Sequence, residues 1–256
     1  MIDLIVFSVG TNKYAVNIAN VQRIIQSVKA TEIPNAHQYI DGMISYENRV
    51  IKILNFRKLI DMRTYHSELT TLFDELKISH VEWVEALKTS LQTGEKFTKT
   101  LNPHACGLGK WIDSFTAYDD IVVEILNQLG DLHKQLHLTG AIALEAYERD
   151  EEEAKHIFTT KITSIYEQTM SALNKLTNEL NLVSNSLQKL IIYDCNTSVF
   201  AIRVDRIEDI AHVNESDFMT SSETEESNSN EFLDLDGVLD LNGVLINVIK
   251  TVKIPT

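Results

Sequence analysis

Short apolar runs alternate with polar turns at the start of the chain. Residues 4–7 and 14–16 flank a turn that contains Gly10, a pattern that predicts a β-hairpin. Residues 42–46 and 50–54 flank a polar turn in the same way and predict a second hairpin. The segment between the hairpins predicts a short helix or an edge strand. We therefore expect this first part of the chain to be mainly β.

The same pattern returns near the end of the sequence. At one constant spacing, the positions Phe7, Tyr14, Ala15, Val16, Ile18, Val21 and Ile24 correspond to Tyr193, Phe200, Ala201, Ile202, Val204, Ile207 and Ile210. At a larger spacing, Gly42, Ile44, Tyr46, Val50, Ile51 and Ile53 correspond to Gly237, Leu239, Leu241, Leu245, Ile246 and Val248. An internal repeat predicts two copies of one supersecondary unit. Because each copy is small, we expect two barrel-like sheets side by side that bury one core.

Apolar residues between the two repeats follow helical spacing instead. The last predicted helix carries Phe158, Ile162, Ile165, Ala172, Leu173, Leu176, Leu180 and Val183 on one face. A bundle of antiparallel helices ends where it began, so a loop of another domain can accommodate it. The predicted fold is α+β and multidomain. A discontinuous double β-barrel domain, residues 1–66 and 187–256, is interrupted by an antiparallel four-helix bundle, residues 67–186.

Net charge and cysteine content limit the kinds of partner and the cellular compartment that we expect for this protein. The formal net charge of −14 argues against nucleic acid or an anionic membrane surface as the main partner, and favours a basic protein patch. The apolar residues 2–9 are too few to cross a membrane and lack a basic leader, so no membrane insertion is expected. The two cysteines lie in unlike settings, which favours a reducing cytoplasm. The polar, acidic segment 220–231 is expected to be solvated, or to serve as a docking tail.

Several histidines fall on apolar helix faces. His80 shares its stripe with Trp83, Val84, Leu87 and Leu91. A second stripe comprises Leu126, Leu129, Gly130, His133, His137, Gly140, Ala141 and Leu144, whose small residues let a neighbouring helix approach. Cys106 lies in a glycine-rich turn on a third segment. Three imidazoles and one thiolate form a ligand set that suits tetrahedral zinc.

Other interpretations of these residues remain open. Each histidine alone can be a core residue satisfied by a hydrogen bond, although burying several unpaired groups would cost a few kcal/mol apiece. Glu153-x-x-His156 together with the His133–His137 pair suggests a di-iron carboxylate bundle, but the second Glu-x-x-His that such a bundle needs is missing. His104 can substitute for one ligand, although its position beside Pro103 favours a surface loop.

The three segments together resemble the chemoreceptor zinc-binding domain, CZB. The resemblance rests on His80-x-x-Trp83, on residues 106–111 with the sequence Cys-Gly-Leu-Gly-Lys-Trp, and on His133-x-x-x-His137. It implies a helical bundle that binds zinc through His80, Cys106, His133 and His137 and senses zinc or oxidants such as hypochlorous acid. It is also compatible with a homodimer formed through the bundle.

The β halves resemble the CheW chemotaxis coupling family. The resemblance rests on Phe7-x-x-Gly10-x-x-x-Tyr14-Ala-Val16, Val21, Ile33-Pro-Asn35, Gly42, Val50, Val204-Asp-Arg-Ile207 and Leu241-Asn-Gly243. It implies a non-catalytic adaptor that links chemoreceptor tips to the histidine kinase CheA. Glu47 is a departure, because it stands where the family usually has an arginine.

Three functional hypotheses follow. The first is a cytoplasmic adaptor whose inserted bundle senses zinc or an oxidant through a zinc-bound Cys106. The second is a metalloenzyme or an oxygen-binding di-iron bundle fused to a β interaction module. The third is a structural zinc ion that only stabilises the insertion.

Overall fold

The structure is a computed structural model that describes residues 1–214, 217–219 and 231–255. The chain divides into two compact units. Met1–Tyr65 and Ser184–Thr256 form one of them, here called the sheet unit, and His66–Val183 form the other, the helical unit. Apart from Glu231, the acidic segment predicted at 220–231 lies outside the described residues.

The sheet unit contains the strands of both sequence repeats. In chain order these are β1 (Ile2–Val9), β2 (Asn12–Asn17), β3 (Val21–Gln26), β4 (Ile40–Tyr46), β5 (Arg49–Asn55), β6 (Lys189–Asp194), β7 (Val199–Val204), β8 (Arg206–Val213), β9 (Phe218–Met219), β10 (Leu233–Leu241) and β11 (Val244–Val252). A 3₁₀ turn at Ile18–Asn20 precedes β3, and the short helix α1, Phe56–Leu59, follows β5.

The two repeats exchange strands. The strand order is β8-β1-β2-β11-β10-β9 in one sheet and β3-β6-β7-β5-β4 in the other, so both sheets draw on both halves of the chain. The first hairpin, β1–β2, is flanked by β8 and β11 of the second repeat, and the equivalent hairpin β6–β7 is flanked by β3 and β5 of the first. The pairs β2–β11 and β5–β7 are parallel, whereas the hairpins are antiparallel.

Both faces of the central strands are buried. Along β1, Ile5, Phe7 and Val9 enter an apolar cluster that also takes residues from the five-stranded sheet. The alternate residues Leu4 and Val6 enter a separate cluster within the six-stranded sheet. Because successive side chains of a strand point to opposite faces, burial on both faces explains why this strand is a continuous apolar run.

Two equivalent hairpins close on two-residue turns with left-handed backbone. The turn between β4 and β5 has φ of +47° at Glu47 and +61° at Asn48, and the turn between β10 and β11 has φ of +57° at Asn242 and +84° at Gly243. Such turns match the twist of the strands they join. Glu47 therefore lies at a hairpin tip, where its half-exposed carboxylate is 3.8 Å from Arg49.

The second unit is helical. Its first and last helices extend into the residues assigned to the sheet unit. The helices are α2 (Tyr65–Thr93), α3 (Gly107–Ser114), α4 (Asp120–Tyr147), α5 (Glu151–Ile157), a π-helical turn (Phe158–Ile162), α6 (Thr163–Asn178) and α7 (Leu180–Leu187). The predicted single closing helix is therefore interrupted near Glu179 and contains a π turn, in which Thr163 Oγ1 donates to the Phe158 carbonyl. No described helix is long and apolar enough to span a bilayer.

Candidate metal centre

Three helices bring the four predicted ligands together. His80 comes from α2, Cys106 caps the N-terminus of α3, and His133 and His137 lie one turn apart on α4. One ligand atom from each side chain lies within 4.8 Å of the others. Within the part of the chain that the structure describes, this is the one group of three or more potential ligands with such spacing.

A glycine on α4 makes room for a tryptophan side chain of α2. A Cβ at Gly140 would lie 2.5 Å from a ring atom of Trp83, which is closer than side chains can approach. Trp83 in turn lies 4.8 Å, ring centre to ring centre, from His137. The predicted role of a small residue therefore holds at Gly140. At Gly130 a Cβ would meet its nearest neighbour at 4.0 Å, an ordinary contact.

A second glycine shapes the turn that presents the sulfur. A Cβ at Gly109 would lie 1.7 Å from the carbonyl oxygen of Pro103, so only glycine fits this turn. The Gly109 N–H donates to Cys106 Sγ at 3.3 Å, as expected for a helix cap. Sγ lies 3.1 Å from His133 Nε2 and 4.0 Å from His80 Nε2.

The tautomer of His80 is fixed by the backbone. Its Nδ1 lies 2.8 Å from the carbonyl oxygen of Leu76. Because a carbonyl oxygen only accepts hydrogen bonds, Nδ1 carries the proton and Nε2 holds the free lone pair. Metal-binding histidines are commonly oriented in this way through their second nitrogen.

His137 gives the clearest test of whether the site fits a cation. The side chain is fully buried, and neither ring nitrogen has a hydrogen-bond partner. The carbonyl groups of Thr100 and Leu101 approach the ring and oppose the lowering of its pKa, but they lie outside hydrogen-bonding geometry. A buried imidazole without partners is costly, and a shared cation removes that cost. The residues present therefore fit a zinc ion.

Burial keeps the three imidazoles neutral. Burial first, and then repulsion from neighbouring imidazoles, lower the pKa of His133 to about 3 and the pKa of His137 to about 4. Burial also lowers the pKa of His80, against the opposing effect of the Leu76 hydrogen bond. Metal binding requires neutral imidazole, so these nitrogens need not lose a proton at neutral pH.

The thiol shows the opposite shift. Burial raises the pKa of Cys106, although N–H groups at the start of α3 partly offset the effect. The sulfur therefore keeps its proton until a cation displaces it.

Other residues singled out from the sequence lie outside the group. His104 is largely exposed, and its Nδ1 is 2.9 Å from an Asp113 carboxylate oxygen, which agrees with a surface loop position. Glu153 and His156 are exposed on α5 and do not join the four ligands. Trp83 is buried, as expected of a core anchor, and donates to the Thr100 carbonyl at 2.8 Å.

Backbone carbonyls around the site were not predicted. Leu76 orients His80, and Thr100 holds Trp83 against the imidazole of His137. No side-chain pattern marks a carbonyl that will act in this way, because every residue has one.

Two protein families match the chain. The CheW-like domain matches residues 3–74, and the chemoreceptor zinc-binding domain matches residues 80–144, which include all four candidate ligands. The chain carries a CheW-like domain and a chemoreceptor zinc-binding domain. Both are signalling domains of chemotaxis rather than catalytic domains, and zinc is the metal that the second one binds.

Two solved structures are similar to the chain. The crystal structure of the scaffolding protein TtCheW from Thermoanaerobacter tengcongensis is 11% identical, with a TM-score of 0.44 over 97% of this chain and 88% of that one. The regulatory CZB domain of DgcZ is 14% identical, with a TM-score of 0.38 over 45% of this chain and 98% of that one. No curated protein matches the sequence significantly.

Proposed function

We propose that His80, Cys106, His133 and His137 bind one zinc ion. The observation that carries this assignment is His137, whose two buried nitrogens lack partners inside a group of three other potential ligands. Four protein ligands complete a tetrahedral shell and leave no open position for a substrate. The proposal therefore includes no enzymatic activity.

We assign residues 1–66 and 187–256 to one CheW-like domain interrupted by a zinc-binding bundle at 67–186. The strand exchange supports this assignment, because each sheet contains strands from both sides of the insertion. The domain acts as a cytoplasmic adaptor that couples chemoreceptor tips to the histidine kinase CheA. Light scattering of the purified chain tests the further expectation of a homodimer through the bundle.

The bundle senses zinc or an oxidant through Cys106. Zinc, when bound, holds its cysteine ligand as a thiolate, which is the form that oxidants attack. Hypochlorous acid transfers its hydroxyl group to the thiolate sulfur to give sulfenic acid, and chloride leaves. The Gly109 N–H already donates to this sulfur and favours its negative charge. Cys106 is only partly buried, so a small oxidant can reach it.

Zinc stoichiometry tests the ligand assignment. Elemental analysis of the wild type should give one zinc per chain, and Cys106→Ser, His80→Ala, His133→Ala and His137→Ala should each bind zinc more weakly. His104→Ala is the matched control, because this exposed histidine lies two residues from Cys106 but outside the group. Unchanged zinc affinity in all four ligand variants would contradict the assignment.

Metal identity separates the alternatives. One colourless zinc per chain supports the adaptor, whereas two irons with visible absorbance support the di-iron bundle. A structural zinc is the third outcome, recognised by an unreactive Cys106 and by zinc that chelators remove only when the bundle unfolds. For the sensing role, kinase output from arrays reconstituted with receptor and CheA should change when zinc is removed or Cys106 is oxidised. Unchanged output would refute sensing without affecting zinc binding.

A further inference from the structure

A buried ion pair lies in the sheet unit beside the point where the chain leaves it. Arg57, on α1, is 2% exposed, and its Nε and Nη2 each donate to a carboxylate oxygen of Asp205 at 2.7 Å. Asp205 also accepts from the Gly10 N–H at 2.7 Å, and its own N–H donates to the Ser8 carbonyl at 3.2 Å. The pair therefore joins α1 to the turns β1–β2 and β7–β8.

The outgoing chain is fastened to the same arginine. Arg57 Nη1 donates to the Arg63 carbonyl at 2.9 Å, and the Met62 N–H donates to the Arg57 carbonyl at 2.8 Å. The guanidinium carbon lies 4.5 Å from the centre of the Tyr65 ring, a cation–π contact. Tyr65 is the first residue of α2, the helix that carries His80.

The returning chain reaches the aspartate. Gln188, 3% exposed, follows α7 and donates from Nε2 to Asp205 Oδ1 at 3.4 Å. Its carbonyl accepts from the Ser27 N–H at 3.1 Å and from Gln26 Nε2 at 2.9 Å. The segments that flank the insertion on either side thus contact one ion pair inside the sheet unit.

We propose that the Arg57–Asp205 pair transmits the state of the zinc site to the turns β1–β2 and β7–β8. The inference rests on the proposed function, since it names the route by which the bundle regulates the sheets. A shift or rotation of α2 moves the Tyr65 ring, which contacts the guanidinium of Arg57. Asp205 moves with this guanidinium because both of its carboxylate oxygens accept hydrogen bonds from Arg57. The Gly10 N–H loses or regains its acceptor in consequence.

A second ion pair in the same unit provides a matched control. Arg203 Nη1 donates to Asp41 at 2.5 Å, and Asp41 also accepts from Asn55 Nδ2 and Lys58 Nζ. This pair is as close and nearly as buried. Its hydrogen bonds and ion pairs go to Val28, Asn55 and Lys58.

Hydrogen exchange of the full-length protein, with and without zinc, tests the proposal. In the wild type we expect exchange in peptides covering residues 8–12 and 203–208 to change roughly fivefold or more on zinc removal. In Asp205→Asn, which keeps the shape of the side chain, this zinc dependence should disappear while zinc stoichiometry stays at the wild-type value. In Asp41→Asn the zinc dependence should persist.

Three results would overturn the proposal: no zinc dependence in the wild type, an undiminished dependence in Asp205→Asn, or an equal loss in Asp41→Asn. If Asp205→Asn does not fold, Tyr65→Leu decides instead, because it removes the ring contact and leaves the ion pair. It should abolish the zinc dependence, and retention would count against the proposal. Failure to bind zinc at all is measured separately and refutes the proposed function rather than the route.

Discussion

Replacing Gly109 by alanine should weaken zinc binding strongly, although Gly109 is not itself a candidate ligand. The added Cβ would lie 1.7 Å from the Pro103 carbonyl oxygen, whereas real Cβ contacts are essentially never shorter than 3.0 Å. The turn must therefore open by at least about 1.3 Å, and zinc–ligand distances tolerate only about 0.2 Å. Cys106 moves with this turn, because the Gly109 N–H holds its sulfur. We expect a loss of zinc affinity of at least about 10–100-fold, the range for lost supporting contacts.

Competition with a chromophoric chelator measures this affinity. Gly130→Ala is the control, since its Cβ would meet the nearest side chain at 4.0 Å and its helical position favours alanine by about 0.4–1 kcal/mol. Gly130→Ala should therefore bind zinc as the wild type does and melt no earlier. Wild-type zinc affinity in Gly109→Ala would refute the geometric reasoning about the turn.

Three further predictions concern stability and site membership. The zinc-free protein should lose stability as pH falls from about 6.5 towards 4, because unfolded histidine titrates near 6.5 while burial lowers the pKa of His133 to about 3 and that of His137 to about 4. Urea unfolding should show a slope approaching about 1.4 kcal/mol per pH unit for each ring, and a flat profile would contradict neutral burial. His104→Ala should leave zinc stoichiometry unchanged, and a loss of zinc would make His104 a ligand. Gly243→Ala, at φ of +84°, should lower the free energy of unfolding by about 1 kcal/mol, and an unchanged value would argue against the left-handed turn.

The grouping of the four candidate ligands could be predicted from local spacing. On α4, His133 and His137 share a face because four residues make about one helical turn, and on α2 the apolar neighbours of His80 showed which face is buried. The glycines around Cys106 indicated a tight turn. The sequence could not show that Gly109 meets the Pro103 carbonyl, because that contact depends on the path of the loop.

The pairing of strands could not be predicted from local sequence patterns. The continuous apolar runs of β1 and β6 predict strands that are buried on both faces, but they do not specify the neighbouring strand. The repeat predicted two equivalent halves, and their exchange of strands emerged only from the structure. The Arg57–Asp205 ion pair could not be predicted either, because its partners are 148 residues apart and the sequence around one gives no indication of the other.

Because the two sheets exchange strands, the two units of the chain cannot finish folding at the same time during synthesis. Neither sheet can be completed until the ribosome has made the strands that follow Ser184, whereas every residue of the helical unit is made by Val183. At ~5–20 residues per second, translating residues 184–256 takes roughly 4–15 s. During that interval the helices can fold, while β1, β2, β3 and β5 still lack their neighbouring strands from the second repeat. In a nascent chain the candidate zinc site would thus be complete before either sheet is.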